Sequence, residues 1–310
     1  MRASDLVHLI LAYPSGKYQL AAAITTRAAG RPLIVTHQLV VDIRDIPMSG
    51  VRRAFWRTAF RSYRWLARTN IASSGAGRDL LVRRYRFAER STVLIYNGAD
   101  LSLFRPLSEA ERRTVREAMA AELAGEAWPD DIALACTVAR LSVQKGLLDL
   151  VAAAGDVVRA LPNARFVLVG DGELREQLRQ QVADRGLERR VLLAGSRPLS
   201  LLPSWLGAAD LFVLSSHYEG MPLSMIEAMA AGCPVVATAV GGVTDVVGDS
   251  KAGILVKPKD PGALSEAIVA VLSNPEKRRA MSQAARERAV STFDVTTCYR
   301  MTTDLYEVAA

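Results

Sequence analysis

The chain has 310 residues, of which 50% are apolar, 23% charged and 6% aromatic. That length accommodates two domains with a core each, and the composition excludes a disordered tail or a disulfide-stapled miniprotein. Cys136, Cys233 and Cys298 are odd in number and form no C-x-x-C pair, which argues against a zinc ribbon and for a reducing compartment. The longest uncharged stretch, 228–244, is too short to span a bilayer and is broken by Gly232, Pro234, Gly241 and Gly242. No charged-then-apolar leader opens the sequence, so a cytoplasmic chain is expected.

Charge is unevenly spread. Residues 1–107 carry 17 Lys and Arg against 6 Asp and Glu, a net of +11, whereas residues 108–310 carry 22 against 26, a net of −4. A basic half joined to a mildly acidic one calls for an anionic partner. No nucleic-acid reader motif accompanies the charge, which leaves a membrane surface or phosphorylated ligands.

In chain order, short β-rich runs alternate with amphipathic stretches. Strands are predicted at 6–11, 33–36, 92–96, 132–138, 165–169, 191–193, 211–214, 234–237 and 253–256. Several are near-continuous apolar runs (ARFVLVG, ADLFVLS, CPVVAT), as strands buried on both faces are. Helical patterns fall at 147–160, 173–185, 224–231 and 261–272, with others at 51–69, 108–122 and 295–308. The order predicts an α/β protein of two doubly wound, Rossmann-like domains, 1–106 and 107–310, divided near Pro106. At 51–69, Arg53, Arg57, Arg61, Arg64 and Arg68 share a helical arc of about 80°. Phe55, Trp56, Phe60, Tyr63 and Leu66 cluster on the neighbouring arc. This helix could lie on an anionic membrane or be an ordinary domain helix with aromatics in the core.

Ligands of open α/β sheets sit beyond the carboxyl ends of strands, so the loops there carry the chemistry. After 132–138 comes ARLSVQKG, where Arg140 and Lys145 stand beside a helix start, a placement suited to a diphosphate. After 211–214 comes SSHYEGMPLSMIEAMA. Gly220 and Pro222 suit a tight turn, Ser224 lies near a helix start with exposed amides, and Glu219 stands beside them. Glu227, one turn inside, could accept from a ribose diol. The GDGELR at 170–175 lacks the third glycine of a dinucleotide fingerprint, which disfavours NAD. His8, His37 and His217 lack metal-ligand spacing, and no G-x-S-x-G elbow occurs.

Together these residues carry a resemblance. EGMPLSMIEAMAAGCPVVAT, with Glu219 and Glu227 eight apart, resembles the E-x7-E signature of retaining glycosyltransferase family four, of GT-B fold. DLVH (Asp5 to His8), VTH (Val35 to His37), IYNGADLSLFRP, ARLSVQKG, LVGDGELR, ADLFVLSSHYEG and GGVTDVV follow in family order. The resemblance implies that Arg140 and Lys145 hold the donor diphosphate and that Glu219 contacts the transferred sugar. It places the backbone of Gly220, Met221, Pro222 and Leu223 beside that sugar, Ser224 with them in the donor-binding segment, and Glu227 on the nucleotide ribose. His37 would face the sugar from the first domain.

It also implies a UDP- or GDP-linked sugar donor with neither cofactor nor metal, and a glycan, lipid-linked or small-molecule acceptor. The expected reaction retains configuration by same-face departure and attack, in polysaccharide, glycolipid or cell-envelope glycan synthesis. The stretch 295–308 would cross back to the first domain. The family's opening strands and its glycine-rich loop have no counterpart ahead of Asp5, so the first domain is expected to be incomplete. Thr244-Asp245 stands where Pro-Glu is usual, which would shorten a carboxylate near the donor phosphates. Two rival readings are a non-catalytic nucleotide-sugar-binding relic and a sugar-nucleotide epimerase of the same fold.

Overall fold

The structure, a computed structural model, describes residues 6–11, 17–42 and 49–309, so Asp5 lies outside the described residues. The first domain comprises β1 (Val7–Leu11), α1 (Lys17–Ala28), β2 (Leu33–His37), α2 (Gly50–Leu66), β3 (Thr69–Ala72), α3 (Gly75–Asp79) and β4 (Thr92–Leu94). Then follow α4 (Glu109–Leu123), β5 (Ala133–Val138), α5 (Leu147–Ala160), β6 (Ala164–Val169), α6 (Arg175–Asp184), β7 (Val191–Gly195), α7 (Leu202–Ala208) and β8 (Leu211–Leu214). The chain ends with α8 (Leu223–Ala230), β9 (Val235–Thr238), α9 (Val243–Val247), β10 (Gly253–Val256), α10 (Pro261–Leu272), α11 (Pro275–Thr292) and α12 (Val295–Ala309). All strands pair in parallel, in two sheets ordered β1-β2-β3-β4 and β10-β9-β8-β5-β6-β7. These are two Rossmann-like domains.

Local chemistry sets the helix starts. Ser108 and Glu111 form a reciprocal capping box at α4, and Asp260-Pro261 and Asn274-Pro275 each place a side-chain cap before a proline at α10 and α11. The buried Asp210 carboxylate takes Arg112, Arg116 and the Leu134 amide, which fastens α4 to the second sheet.

Side-chain alternation gives each sheet two cores. In β5, Leu134 and Cys136 face the layer of α7, α8 and α11, while Ala133 and Ala135 face α5 and α10. In β2, Ile34 points to α12, whose Cys298, Leu305 and Tyr306 cover that face of the first sheet. There His8 bridges Thr36 Oγ1 (2.7 Å) and the Tyr306 hydroxyl (2.6 Å), so the last helix of the chain is bonded to its first strand.

The opposite face of the first sheet packs on α1 and α2. Phe60 and Tyr63 of α2 are buried there, so much of the predicted aromatic arc belongs to the core. Val51, Phe55 and Trp65 stay exposed, on the side of α2 that also presents Arg57 and Arg61.

His37 closes β2 inside this core. Its ring lies edge-on to Phe60, Tyr63 and Phe87 at 5.2, 6.2 and 5.6 Å, and Nε2 bonds Asn70 Oδ1 at 3.0 Å. Burial pushes its pKa from 6.5 down to about 4, opposed weakly by the Asn70 bond. The unfolded chain therefore takes up this proton first. The contribution of His37 to stability is whole above pH 6.5 and is lost as the pH falls towards about 4. At 1.36 kcal/mol per unit this amounts to roughly 3 kcal/mol. Melting temperature measured against pH should fall across that window in the native chain and be flatter in His37→Gln; parallel profiles would refute the assignment.

Candidate active site

In the second sheet, β5-β6-β7 run one way from the chain's entry and β8-β9-β10 the other, so the order reverses between β5 and β8. A crevice opens beyond the carboxyl ends of strands at such a reversal. The two loops flanking it are 139–146 and 215–222, the two that carry the candidate residues.

These loops are stitched together. The Ser215 hydroxyl donates to Lys145 O (2.9 Å), the His217 amide donates to Gln144 O (2.8 Å), and Gln144 Nε2 donates to Tyr218 O (3.0 Å). His217 Nε2 also pairs with Asp149 Oδ2 of α5 at 2.8 Å. Gly146 turns the first loop into α5 at φ +58°, and a Cβ there would lie 2.1 Å from Ser215 O, so only glycine fits.

The stitching delivers an ion pair. Lys145 Nζ donates to Glu219 Oε1 at 2.6 Å, and the Ser216 hydroxyl donates to the same oxygen at 2.6 Å. Glu219 is only 5% exposed. Its Oε2 receives no donor among the described residues and is left to accept from a ligand.

Beyond Glu219, Met221 is buried in the core and anchors the turn, and Pro222 caps α8 without a side-chain bond. Among the described residues, the Leu223 and Ser224 amides have no intrahelical acceptor, since the first helical bonds come from Met225 and Ile226 to Pro222 O. Ser224 is thus the second residue of α8. Two free amides at a helix start, near an ammonium, are an anion seat.

Glu227 lies one turn further on. Its carboxylate has no partner among the described residues, and burial lifts its pKa from 4.5 to about 7. Arg140 is largely exposed and pairs with Glu173 at 3.3 Å, a contact worth little by itself. The GDG segment has a structural task. A Cβ on Gly170 would meet Ala139 O at 1.9 Å, and the Leu141 amide bonds Asp171 O at 2.9 Å, so these glycines let the two loops touch.

The structure therefore brings together Lys145, Glu219 and the Gly220–Ser224 turn, with Arg140 and Glu227 on neighbouring elements. It does not bring His37, whose hydrogen bond and ring contacts all lie within the first domain. The Asp245 carboxylate is engaged by the Ala76 amide of the first domain at 3.3 Å. Ser216 and His217 escaped sequence reasoning for different reasons: Ser216 reaches Glu219 only because the 215–222 loop folds back on itself, and the partner of His217, Asp149, lies 68 residues away on α5. Between the domains, at Leu223, an open depression of about 450 Å³ is lined by Gln38, Tyr96, Asn97, Tyr299 and Thr302, among others, and by no charged side chain.

Residues 120–288 match the family described as glycosyl transferases group 1. An α-D-kanosaminyltransferase of Streptomyces kanamyceticus is 30% identical over 279 residues, covering 87% of this chain and 69% of that protein. Among solved structures, a sucrose-phosphate synthase from Thermosynechococcus elongatus superposes with a TM-score of 0.84 at 26% identity, over 98% of this chain and 73% of that one. Anabaena HepE, in complex with UDP and glucose, gives 0.81 at 25% identity, over 98% of this chain and 78% of that one. With the family match spanning more than half of the sequence and the whole architecture shared, the chain belongs to the glycosyl transferases group 1 family.

Proposed function

We propose that this glycosyltransferase moves a sugar from a UDP- or GDP-linked donor to an acceptor hydroxyl with retention of configuration, in glycan, glycolipid or cell-envelope synthesis. The observation that carries the reading is the Lys145–Glu219 pair set at the sheet's reversal point beside the free amides of α8. The UDP held by HepE supports a uridine donor, and nothing in the comparisons favours a binder without transfer.

Diphosphate charge is met by Lys145, Arg140 and the Leu223 and Ser224 amides, which suffice to stabilise the leaving group without a divalent metal. Glu227, ionised, accepts the ribose hydroxyls. The free oxygen of Glu219 accepts from hydroxyls of the transferred sugar and fixes its anomeric carbon. The bond from that carbon to the phosphate oxygen breaks, and the acceptor oxygen bonds to the same face. The acceptor's proton leaves with the diphosphate. The open, uncharged depression at Leu223 offers a surface for a neutral, hydroxyl-bearing acceptor.

No described helix is long and apolar enough to cross a membrane. Contact with a lipid-linked acceptor would instead run through the exposed side of α2. There Val51, Phe55 and Trp65 can enter the headgroup region while Arg57 and Arg61 meet anionic lipid.

Lys145→Ala should weaken UDP binding by about 1.5–3 kcal/mol in calorimetry with no added metal. Glu219→Gln should leave UDP affinity in place while lowering transfer roughly 10²- to 10³-fold. Transfer near the native rate in Glu219→Gln would overturn the sugar contact. Because Glu227 must ionise to accept the diol, UDP affinity should rise as the pH passes through about 7, and Glu227→Gln should lose that part of the rise. In liposome flotation, the native chain should float with anionic vesicles at low salt and an Arg57→Glu, Arg61→Glu variant should not; failure of the native chain to float would end the membrane reading.

A further inference from the structure

The ion pair is built on the second domain, yet the backbone that carries Glu219 is wedged against the first. A Cβ on Gly220 would lie 2.0 Å from Gln38 O, in the loop after β2. On its other side, the Gly242 amide donates to Gly220 O at 2.9 Å. Gly241, at φ +47°, brings its Cα so close to Glu219 O that a Cβ would stand 1.9 Å away. Gly241 and Gly242 lead directly into α9, and α9 carries Asp245.

Asp245 reaches across to the first domain. Its Oδ2 accepts from the Ala76 amide at 3.3 Å, and its Oδ1 lies 2.9 Å from where a Cβ on Gly75 would sit. The Ala76 amide lies in the first turn of the helical segment that begins at Gly75 and is capped by Ser74, whose hydroxyl accepts from Gly77. A carboxylate there is favoured by unsatisfied amides and by the positive end of the helix. Gly242 touches the same turn, since its Cβ would meet Ser74 Cβ at 2.8 Å. Within its own domain α9 is held by Arg288, which donates to Asp245 O (2.8 Å) and Val246 O (3.3 Å).

We infer that Asp245 is a positioning residue: by latching α9 onto the start of α3 it seats Gly241 and Gly242 against Glu219, so that the sugar-facing carboxylate is in place only when the two domains are together. The inference rests on the proposed role of Glu219. Donor diphosphate binding should not depend on the latch, because the contacts of Asp245, to Ala76, Gly75 and Arg288, reach neither Lys145, Arg140 nor the α8 amides, and Lys145 is held by the stitched loops of its own sheet. The chemical step should, because a carboxylate misplaced by a fraction of an ångström no longer holds the anomeric carbon.

Two variants break the one contact from opposite domains, Asp245→Asn by removing the charge and Gly75→Ala by setting a methyl against Oδ1. Each should slow UDP release from UDP-glucose about tenfold while leaving the Kd for UDP unchanged, and the double variant should be no slower than the slower single one. Losses that multiply, a native rate in either variant, or a Kd that rises in step with the rate loss would overturn the inference. Absence of UDP binding by the native chain would instead overturn the donor reading. The latch is then still decided by paired spin labels at Thr58→Cys and Gln180→Cys, since the three native cysteines are buried. The distance distribution should lengthen or broaden in Asp245→Asn, and an unchanged distribution would refute the latch whatever the activity.

Discussion

The contact between Lys145 and Glu219 is the constraint around which the site is organised. Taking a carboxylate almost wholly out of water is costly, and a lone ammonium seldom offsets that cost. Here the Ser216 hydroxyl adds a second donor to the same oxygen, and the ion pair keeps both groups extended towards the crevice. A ligand that brings phosphate oxygens to Lys145 and hydroxyls to Glu219 replaces one strong interaction by several. The resting pair thus holds the geometry that the ligand needs, without a side chain having to be recruited from solvent.

That pairing is available only because of strand order. Lys145 follows β5 and Glu219 follows β8, strands with two others between them in sequence yet neighbours in the sheet. Each flanking glycine marks a place where two backbones meet closer than a side chain permits: Gly146 against Ser215, Gly170 against Ala139, Gly241 against Glu219. The second domain brings its strand-end loops together largely by leaving Cβ atoms out.

Much of this was legible in the sequence, and the failures have physical causes. Apolar runs such as FVLV and LFVL mark buried parallel strands, and 147–160 and 261–272 are helices at both predicted ends. Strand β3 was missed because TNIA is short and carries Asn70, a polar residue at a wholly buried position where it serves His37. The resemblance turned His37 towards the sugar, whereas alternation along β2 sends Thr36 to the α12 side and His37 to the α2 side. A strand that ends at the rim of a sheet does not thereby aim its last side chain into the cleft. The period of α2 identified its two arcs correctly, but a wheel cannot say which of two apolar neighbours, core or solvent-facing partner, an arc meets. Packing assigned Phe60 and Tyr63 to the core and left Phe55 and Trp65 outside.

The two ends of the candidate site differ in what they depend on. The end proposed to take the nucleotide (Lys145, Arg140, Glu227 and the start of α8) is assembled from loops and a helix of one sheet, and its rigidity comes from that sheet. The sugar end is not self-contained, because Gly220 rests on Gln38 O and the loop behind Glu219 rests on Ser74. On the proposed roles, affinity for the donor would be supplied by one domain, whereas the position of the Glu219 carboxylate is set at the junction. The proposed division would separate capture from chemistry: a donor could be bound without the Glu219 end being in register, and the reactive arrangement would exist only while the domains touch. An enzyme that must not expose its donor's anomeric carbon to water gains from such a separation, since the activating carboxylate and the enclosing domain arrive together.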